Sequence, residues 1–491
     1  MRGADQPRSE PGFCYAVASK SSRPISIRRM NELIRDIIVF YRENDQPVVD
    51  VSMPAGQRIT NGVVQLVITE GEVGEVKFEG NCRFDDCTLS LGLCNGSGDA
   101  IYESALMEDL RWLNRNPYRD VSIRLRAGDA KGATDLVYDV EERTPISGYI
   151  GYEDSGARVT GIERTIYGFH LGNVFRKGHQ FGYQMTASSN FNSLLAHSCV
   201  YSFDLANRDQ VQIFGSYAEL SADITGAPLA LSGRAWQVSG RYNHELYPGA
   251  CCPRDRLVRN LTYGVDFKST NTNLEFGGVN VFGSTAHILQ LMLGYNARRQ
   301  TWWGNWGWGA EVFHGLDGFS PGNNDAALNA LRAGAEAEYA YTRLSYHNRI
   351  NLPNCWALVN RVTGQLADGN LPPSEQLGFG GYDSIRGYDM RQVNGDSGVL
   401  VNMELHAAPL HFGSCNESKL ETLAFLDYGD ARNHSPLAGE DPSVDLSSVG
   451  AGARYSFNNN FLLRADYGWR LNEVTGATRR ERVHVGMVIR R

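Results

Sequence analysis

Two textures of hydrophobic patterning divide the chain. In the first, Ile27, Met30, Leu33, Ile34, Ile37, Ile38 and Tyr41 follow an i, i+3, i+4, i+7 spacing, which predicts one amphipathic helix ended by Pro47. VVDVSM and VVQLVITEG then read as two strands joined by a Gly-containing turn. A helix and two strands are only part of a domain, so residues 24–73 are expected to form an incomplete first unit behind a polar, unpatterned segment, 1–23. A second unit, 74–144, begins with the strand EVKFEGN (Glu75–Asn81). A disordered-looking stretch follows, then a helix around Ala105–Leu113 that should bury Leu106, Leu110 and Leu113 and that Pro117 stops. VSIRLRAG alternates Val121, Ile123 and Leu125 against Ser122, Arg124 and Arg126, and TDLVYDVEE supplies a further strand. Strand, helix, strand, strand is the order of a small α+β domain.

Beyond Pro145 the period falls to two, with no amphipathic helix evident. Phe181, Tyr183, Met185 and Ala187 alternate with Gly182, Gln184, Thr186 and Ser188. Trp236, Val238, Gly240 and Tyr242 do the same, as do Cys199 to Leu205, Leu289 to Tyr295, and Phe461 to Trp469. Alternation suits both a soluble sandwich and a membrane barrel, since each has one apolar and one polar face. Three features favour the barrel over 145–491. The segments run about 9–11 residues, the span of a tilted membrane strand. Roughly 16 of them occur, too many for one sandwich. Aromatics recur near segment ends, as at Trp302, Trp303, Trp306 and Trp308, where an interfacial girdle is the favoured reading over a sugar site.

Composition narrows the class. Mean hydropathy is −0.34 and no stretch approaches the ~18 apolar residues of a membrane helix, but barrels dilute their apolar residues by alternation. Gly (53) and Tyr (23) outnumber Pro (17), which suits many strands with tight turns and aromatic girdles. A net charge of −8 without a basic block argues against a nucleic-acid partner. The nine cysteines include the cluster Cys82, Cys87 and Cys94 and the adjacent Cys251 and Cys252; no CxxC pair occurs and the 11 His are scattered, so no metal site is expected. The cluster could hold a disulfide in an oxidising compartment or remain as thiols. The first residues have no apolar h-region, so either the protein is cytosolic or the sequence begins inside a longer product that supplies a signal peptide and the missing first strand.

LGFGGYDSIRGYDMRQVNGDSGVLVNMEL (Leu377–Leu405) is the most informative segment. Gly395-Asp396-Ser397-Gly398 mimics the surroundings of a protease nucleophile but lacks His and Asp context, and no helix follows Gly378–Gly381 to complete a phosphate cradle. No catalytic residues and no cofactor are therefore expected. The segment resembles the inward-folded loop of two-partner secretion transporters, the TpsB or haemolysin secretion/activation branch of the outer-membrane protein-assembly superfamily. The Gly-Gly of that pattern is Gly380 and Gly381; its tetrad is Ile385, Arg386, Gly387 and Tyr388; its Gly-Asp-x-Gly is Gly395, Asp396 and Gly398. AFLDYGDAR matches the later Phe-x-Asp-x-Gly motif with Phe425, Asp427 and Gly429.

The resemblance spans about Pro24 to Arg491. It implies polypeptide-transport-associated (POTRA) domains in the periplasm and a barrel of about 16 strands with a lumen-folded loop over 377–398, held by Arg386 on Asp427. It also implies export of an unfolded, TpsA-type secreted protein, a setting in outer-membrane lipid, and barrel assembly machinery as a partner during biogenesis. Parity alone puts Asp427 on one face with Phe425 and Gly429, so the resemblance, not the alternation, places Asp427 in the lumen. Cargo contact is expected by strand addition in a POTRA groove marked by Val121, Ile123 and Leu125 beside Leu106 and Leu110. A barrel-assembly factor is the alternative function, and a passive porin a more distant one. The chain departs from outer-membrane barrels by ending on Arg490 and Arg491 instead of an aromatic or apolar residue.

Overall fold

In the computed structural model, which describes residues 26–56, 64–130, 132–157, 160–224, 229–246, 257–276, 279–413, 417–436, 439–458, 460–474 and 480–491, the chain divides into two units between Arg143 and Thr144. The first unit opens with helix α1 (Ile27–Glu43), whose N-terminus is capped by Ser26 accepting from the Arg29 N–H at 3.3 Å. Its Ile37 and Tyr41 pack on Val51 of β1 (Val49–Ser52), which pairs antiparallel with β2 (Val67–Glu70). Next come β3 (Glu72–Glu79), α2 (Asp86–Ser90), α3 (Glu103–Leu113), β4 (Arg119–Ala127) and β5 (Ala133–Glu142). β5 lies in the middle of a three-stranded sheet, parallel to β3 and antiparallel to β4. Phe84, Leu89, Leu113, Leu136 and Tyr138 fill the core between sheet and helices.

The disordered-looking stretch after Asn81 is in fact built. Asp85 caps α2 through the Thr88 N–H at 2.7 Å, and buried Asp109 accepts from the Cys94 N–H at 2.8 Å and the Asn95 side chain at 2.5 Å. A five-residue helix is too short to show a period, and the rest is ordered by side-chain bonds to backbone, which leave no hydrophobic pattern. Cys87, Cys199 and Cys355 are free thiols, while Cys251 and Cys252 lie outside the described residues.

The second unit is a closed antiparallel sheet. Its strands are β6 (Ile146–Glu153), β7 (Arg164–Val174), β8 (His179–Ser188), β9 (Leu194–Asp204), β10 (Gln210–Ile224), β11 (Leu229–Glu245), β12 (Leu257–Phe276), β13 (Val279–Thr301), β14 (Gly304–Leu316), β15 (Ala340–Asn351) and β16 (Ala357–Ala367). A short hairpin of β17 (Leu377–Phe379) and β18 (Val393–Gly395) follows. Then come β19 (Ser397–His406), β20 (Leu410–Phe412), β21 (Ser418–Arg432), β22 (Ser443–Phe457), β23 (Phe461–Arg470) and β24 (Glu481–Arg490). β19 and β20 both pair with β21 and count as one interrupted strand, so sixteen strands close the barrel among the described residues. β24 returns to β6 from Gly486↔Glu153 to Arg490↔Tyr149. Arg491 extends this closure, its N–H donating to the Gly148 carbonyl at 2.9 Å and its carbonyl accepting from the Gly148 N–H at 3.0 Å, while the Arg490 N–H donates to the Asn460 carbonyl at 2.8 Å.

Closure settles the choice between sandwich and barrel. Among the described residues no second sheet covers the outer face, where Val238, Val265, Leu291, Leu293, Val312 and Leu344 are exposed, as a lipid-facing wall requires. The strands are not uniformly 9–11 residues: β10 to β13 run 15, 17, 20 and 23, beyond any membrane span. The barrel segment also contains a helix, α4 (Asp325–Leu331), in the connection from β14 to β15. Its seven residues bury Leu328 alone, which is why no amphipathic repeat is visible.

Candidate functional site

Residues 368–396 connect β16 to β19 but do not leave the barrel. They double back as the β17–β18 hairpin and carry the Gly-Gly and tetrad residues at the tip. Left-handed backbone makes the tip: Gly380 has φ 104°, Gly381 φ 111° and Gly387 φ 91°, values that side chains rarely tolerate. The Gly381 N–H donates to the Ile385 carbonyl at 3.1 Å and the Arg391 N–H to the Gly380 carbonyl at 3.0 Å, closing the loop on itself.

Ile385 and Phe379 are fully buried against Leu400, Ala431 and Leu446 of the barrel wall. Gly429 is the floor of this contact, since a Cβ there would lie 2.4 Å from Ile385 Cδ1 and 2.7 Å from Phe379 Cδ1. Tyr388 hydrogen-bonds the Ser447 carbonyl at 3.1 Å. The Gly387 N–H donates to His484 Nε2 at 3.3 Å, and a Cβ on Gly468 would lie 2.5 Å from the Gly387 nitrogen. The tip therefore makes its closest approach to the wall at Gly429 and Gly468, which carry no side chain.

Arg386, 3% exposed, meets Asp427, fully buried, in a two-point pair: Nε to Oδ2 and Nη2 to Oδ1, each 2.8 Å. Its own backbone N–H also donates to Asp427 Oδ2 at 3.1 Å. Nη1 reaches Glu404 Oε1 at 2.8 Å and stands 3.7 Å from Asp466 Oδ1, so three carboxylates surround one guanidinium. Beneath it lies the Phe425 ring, whose centre is 3.5 Å from Cζ. Asn402 donates to Asp427 at 2.9 Å and also holds the Ser384 carbonyl. The network continues from Glu404 Oε2 to His406 Nε2 at 2.9 Å, and from His406 Nδ1 to Glu421 at 2.5 Å. Arg454 supplies a second cation to Asp466 at 2.8 Å.

Parity is as read from sequence: Phe425, Asp427 and Gly429 share one buried face of β21, while Leu426 and Tyr428 face outward. The face is the lumen side because Phe425 and Gly429 serve the loop rather than lipid. The structure thus brings together Gly380, Gly381, Ile385, Arg386, Gly387 and Tyr388 with Phe425, Asp427 and Gly429. Sequence reasoning missed Asn402, Glu404, His406, Asp466, Gly468 and His484. A charged residue on the polar face of an alternating strand, as at Asp466 in LLRADYGWR, was the available signal.

The residues marked for cargo are distributed differently. Val121 and Leu106 belong to the first unit's own core and cannot line a groove, because the sheet needs them to bury its helices. Leu110 and Ile123 are partly buried, and Leu125 is 42% exposed. β4 is an edge strand, but Asn114 already occupies it at Val121: Asn114 Nδ2 donates to the Val121 carbonyl at 2.9 Å, and the Val121 N–H donates back at 2.7 Å. Alternate residues on a strand direct their N–H and C=O groups the same way, so the open edge starts beyond Val121, at Ile123 and Leu125.

A sixteen-stranded barrel with a loop locked in its lumen is an outer-membrane transport channel. The chain belongs to the haemolysin secretion/activation protein family ShlB/FhaC/HecB, whose model matches residues 132–455. It is 23% identical to the heme/hemopexin transporter protein HuxB of Haemophilus influenzae over 473 residues, 90% of this chain and 77% of the relative. It is 21% identical to the outer membrane transporter CdiB of Dickeya dadantii over 464 residues, 91% of this chain and 77% of that one. The solved structure of CdiB from Escherichia coli shares the fold, with a TM-score of 0.78 at 17% identity, covering 100% of this chain and 89% of that one. The protein is therefore an outer-membrane export pore with its N-terminal α+β region in the periplasm. β6 enters from the periplasmic side, so the β14–β15, β16–β19 and β21–β22 connections lie at the extracellular end.

Proposed function

We propose that this pore exports an unfolded TpsA-type exoprotein, captured by the N-terminal POTRA domains and threaded through the lumen once loop 368–396 gives way. The observation that carries this reading is the buried Arg386 cluster. A guanidinium held by Asp427 and Glu404 adds a charged fastening to the apolar seat of Ile385 and Phe379 and holds the loop in the lumen. Capture uses strand addition on the open part of the β4 edge, beginning at Ile123, with Leu125 as the exposed apolar contact. Backbone pairing of this kind accepts an unfolded chain with little dependence on its sequence. Outer-membrane lipid meets the apolar outer face, and barrel assembly machinery inserts the strands.

The direct test co-expresses the transporter with a TpsA-type secreted protein from the same genome and measures cargo in the medium. Export by the wild type, and its loss in Arg386→Ala with the barrel still in the membrane, supports the proposal. Assembly of other barrels without export would favour the assembly-factor function instead.

A further inference from the structure

The tip of loop 368–396 is one attachment; its stem carries another, on a different loop. The connection from β14 to β15, residues 317–339, folds back onto the inner wall instead of projecting outward. The His287 N–H donates to the Gly322 carbonyl at 2.8 Å, and Asn323 Nδ2 donates to the His287 carbonyl at 3.1 Å. Leu328 of α4 is fully buried with Ile288 and Phe313 of the wall and with Leu371 of the lumen loop. One apolar cluster thus contains both loops and the barrel.

Arg332, at the end of α4, ties this cluster to the lumen loop. Its side chain is 8% exposed and that of Asp396 is 0%. The two form a two-point pair, with Nη2 to Oδ2 at 2.9 Å and Nη1 on Oδ1, and Nη1 also donates to the Leu371 carbonyl at 2.9 Å. Asp396 further accepts from the N–H groups of Leu371 at 2.9 Å and His434 at 3.0 Å and from Gln376 Nε2 at 3.2 Å. Asn370 repeats the connection, donating to the carbonyls of Ala333 and Ser435 at 3.1 Å. Three extracellular connections therefore meet on one buried carboxylate, and none of the residues involved takes part in the Arg386 cluster.

We infer that Arg332 is a positioning residue of the export pore: through Asp396 it fastens loop 317–339 as a lid to the stem of the lumen loop, so the extracellular mouth has a clasp separate from the Arg386 lock. The inference rests on the export reading for its purpose, but the clasp itself is a statement about two loops. Cargo can pass only when both fastenings are released. Losing Arg332 alone leaves Asp396 with its three remaining N–H donors, so the stem and barrel survive while the lid loosens.

The experiment uses the full chain in the outer membrane. Leu328→Cys places a thiol beneath the lid, and whole cells are labelled with a membrane-impermeant maleimide, with the chain lacking that substitution as background. The clasp predicts protection in the Leu328→Cys chain and a several-fold rise in labelling when Arg332→Gln or Asp396→Asn is added. The double substitution should label no more than Asp396→Asn alone, because that substitution already removes the carboxylate that Arg332 holds. Single-channel recordings of Arg332→Gln in planar bilayers should show more frequent openings, with heat-modifiable migration unchanged. A thiol that stays protected when Leu328→Cys is combined with Arg332→Gln, or fully additive effects of Arg332→Gln and Asp396→Asn, overturns the clasp. If the wild type exports nothing, the export reading fails while the labelling result still decides the clasp.

Discussion

One methyl group on the barrel wall should unlock the pore without removing a charge. Gly468→Ala would place a Cβ 2.5 Å from Gly387 N, 2.8 Å from the Arg386 carbonyl carbon and 2.9 Å from Gly387 Cα. All three are backbone atoms, so no side-chain rotation relieves the clash. Ordinary carbon contacts begin near 3.5 Å, so the tip must retreat by about 1 Å. The Arg386–Asp427 bonds, at 2.8 Å, would then stretch past hydrogen-bonding distance. Two charge-assisted bonds at roughly 1.5–3 kcal/mol each put the loss at about 3–6 kcal/mol. At ~1.4 kcal/mol per tenfold, the balance between seated and released loop shifts by about 10²–10⁴. The assay is single-channel conductance of the purified chain in planar bilayers, with protease cleavage of the loop as a second readout. Gly215→Ala, whose Cβ would meet only ordinary contacts at 3.6 Å, is the control. A Gly468→Ala channel as closed and as protease-resistant as the control would refute the seating argument.

Other substitutions separate the parts of the machine. Arg386→Ala leaves Asp427, Glu404 and Asp466 buried around a missing cation, a cost on the order of 3–5 kcal/mol; Asp427→Ala leaves the guanidinium still paired with Glu404, so it should open the pore less often. The double mutant should be little worse than Arg386→Ala alone in secretion and conductance, and strict additivity would show that the residues act separately. In the periplasmic unit, the Arg124 guanidinium holds the Asp139 carboxyl below its ordinary value of 3.8, and the Glu75 N–H and then Lys77 do the same for Asp135. A lowered folded value means stabilisation that is present above the ordinary carboxylate range and is lost as pH falls through the folded value. Asp139→Asn should therefore flatten the acid limb of hydrogen-exchange protection in β4 and β5 below pH 3.8, and an unchanged acid limb would count against that coupling. Ile123→Pro removes an N–H from the open edge of β4 and should lower cargo binding and secretion while barrel conductance stays as in the wild type; normal secretion would exclude this edge as the capture site.

Much of the architecture was legible in the order of residues. Period-two alternation from Pro145 onward marks strands because a strand's side chains must alternate faces, and sixteen strands follow from counting such runs. Helix α1 was visible for the same kind of reason, its apolar residues returning every third or fourth position over seventeen residues. The tetrad and the Phe-x-Asp-x-Gly motif were legible only as a resemblance. Nothing in the local pattern of AFLDYGDAR says that Phe425 turns toward the lumen, since an aromatic on an alternating strand is equally suited to lipid. That choice was made by the loop, which brings Arg386 over the ring and Ile385 onto Gly429. The short helices α2 and α4 escaped notice because five and seven residues hold no measurable period. The acids around Arg386 come from β19, β21 and β23, and Arg332 lies 64 residues from Asp396. Periodicity reports what a residue does relative to its own strand or helix axis. Which strand closes on which, and which loop folds inward to satisfy a buried carboxylate, depends on contacts between distant segments, and only the closed barrel supplies them.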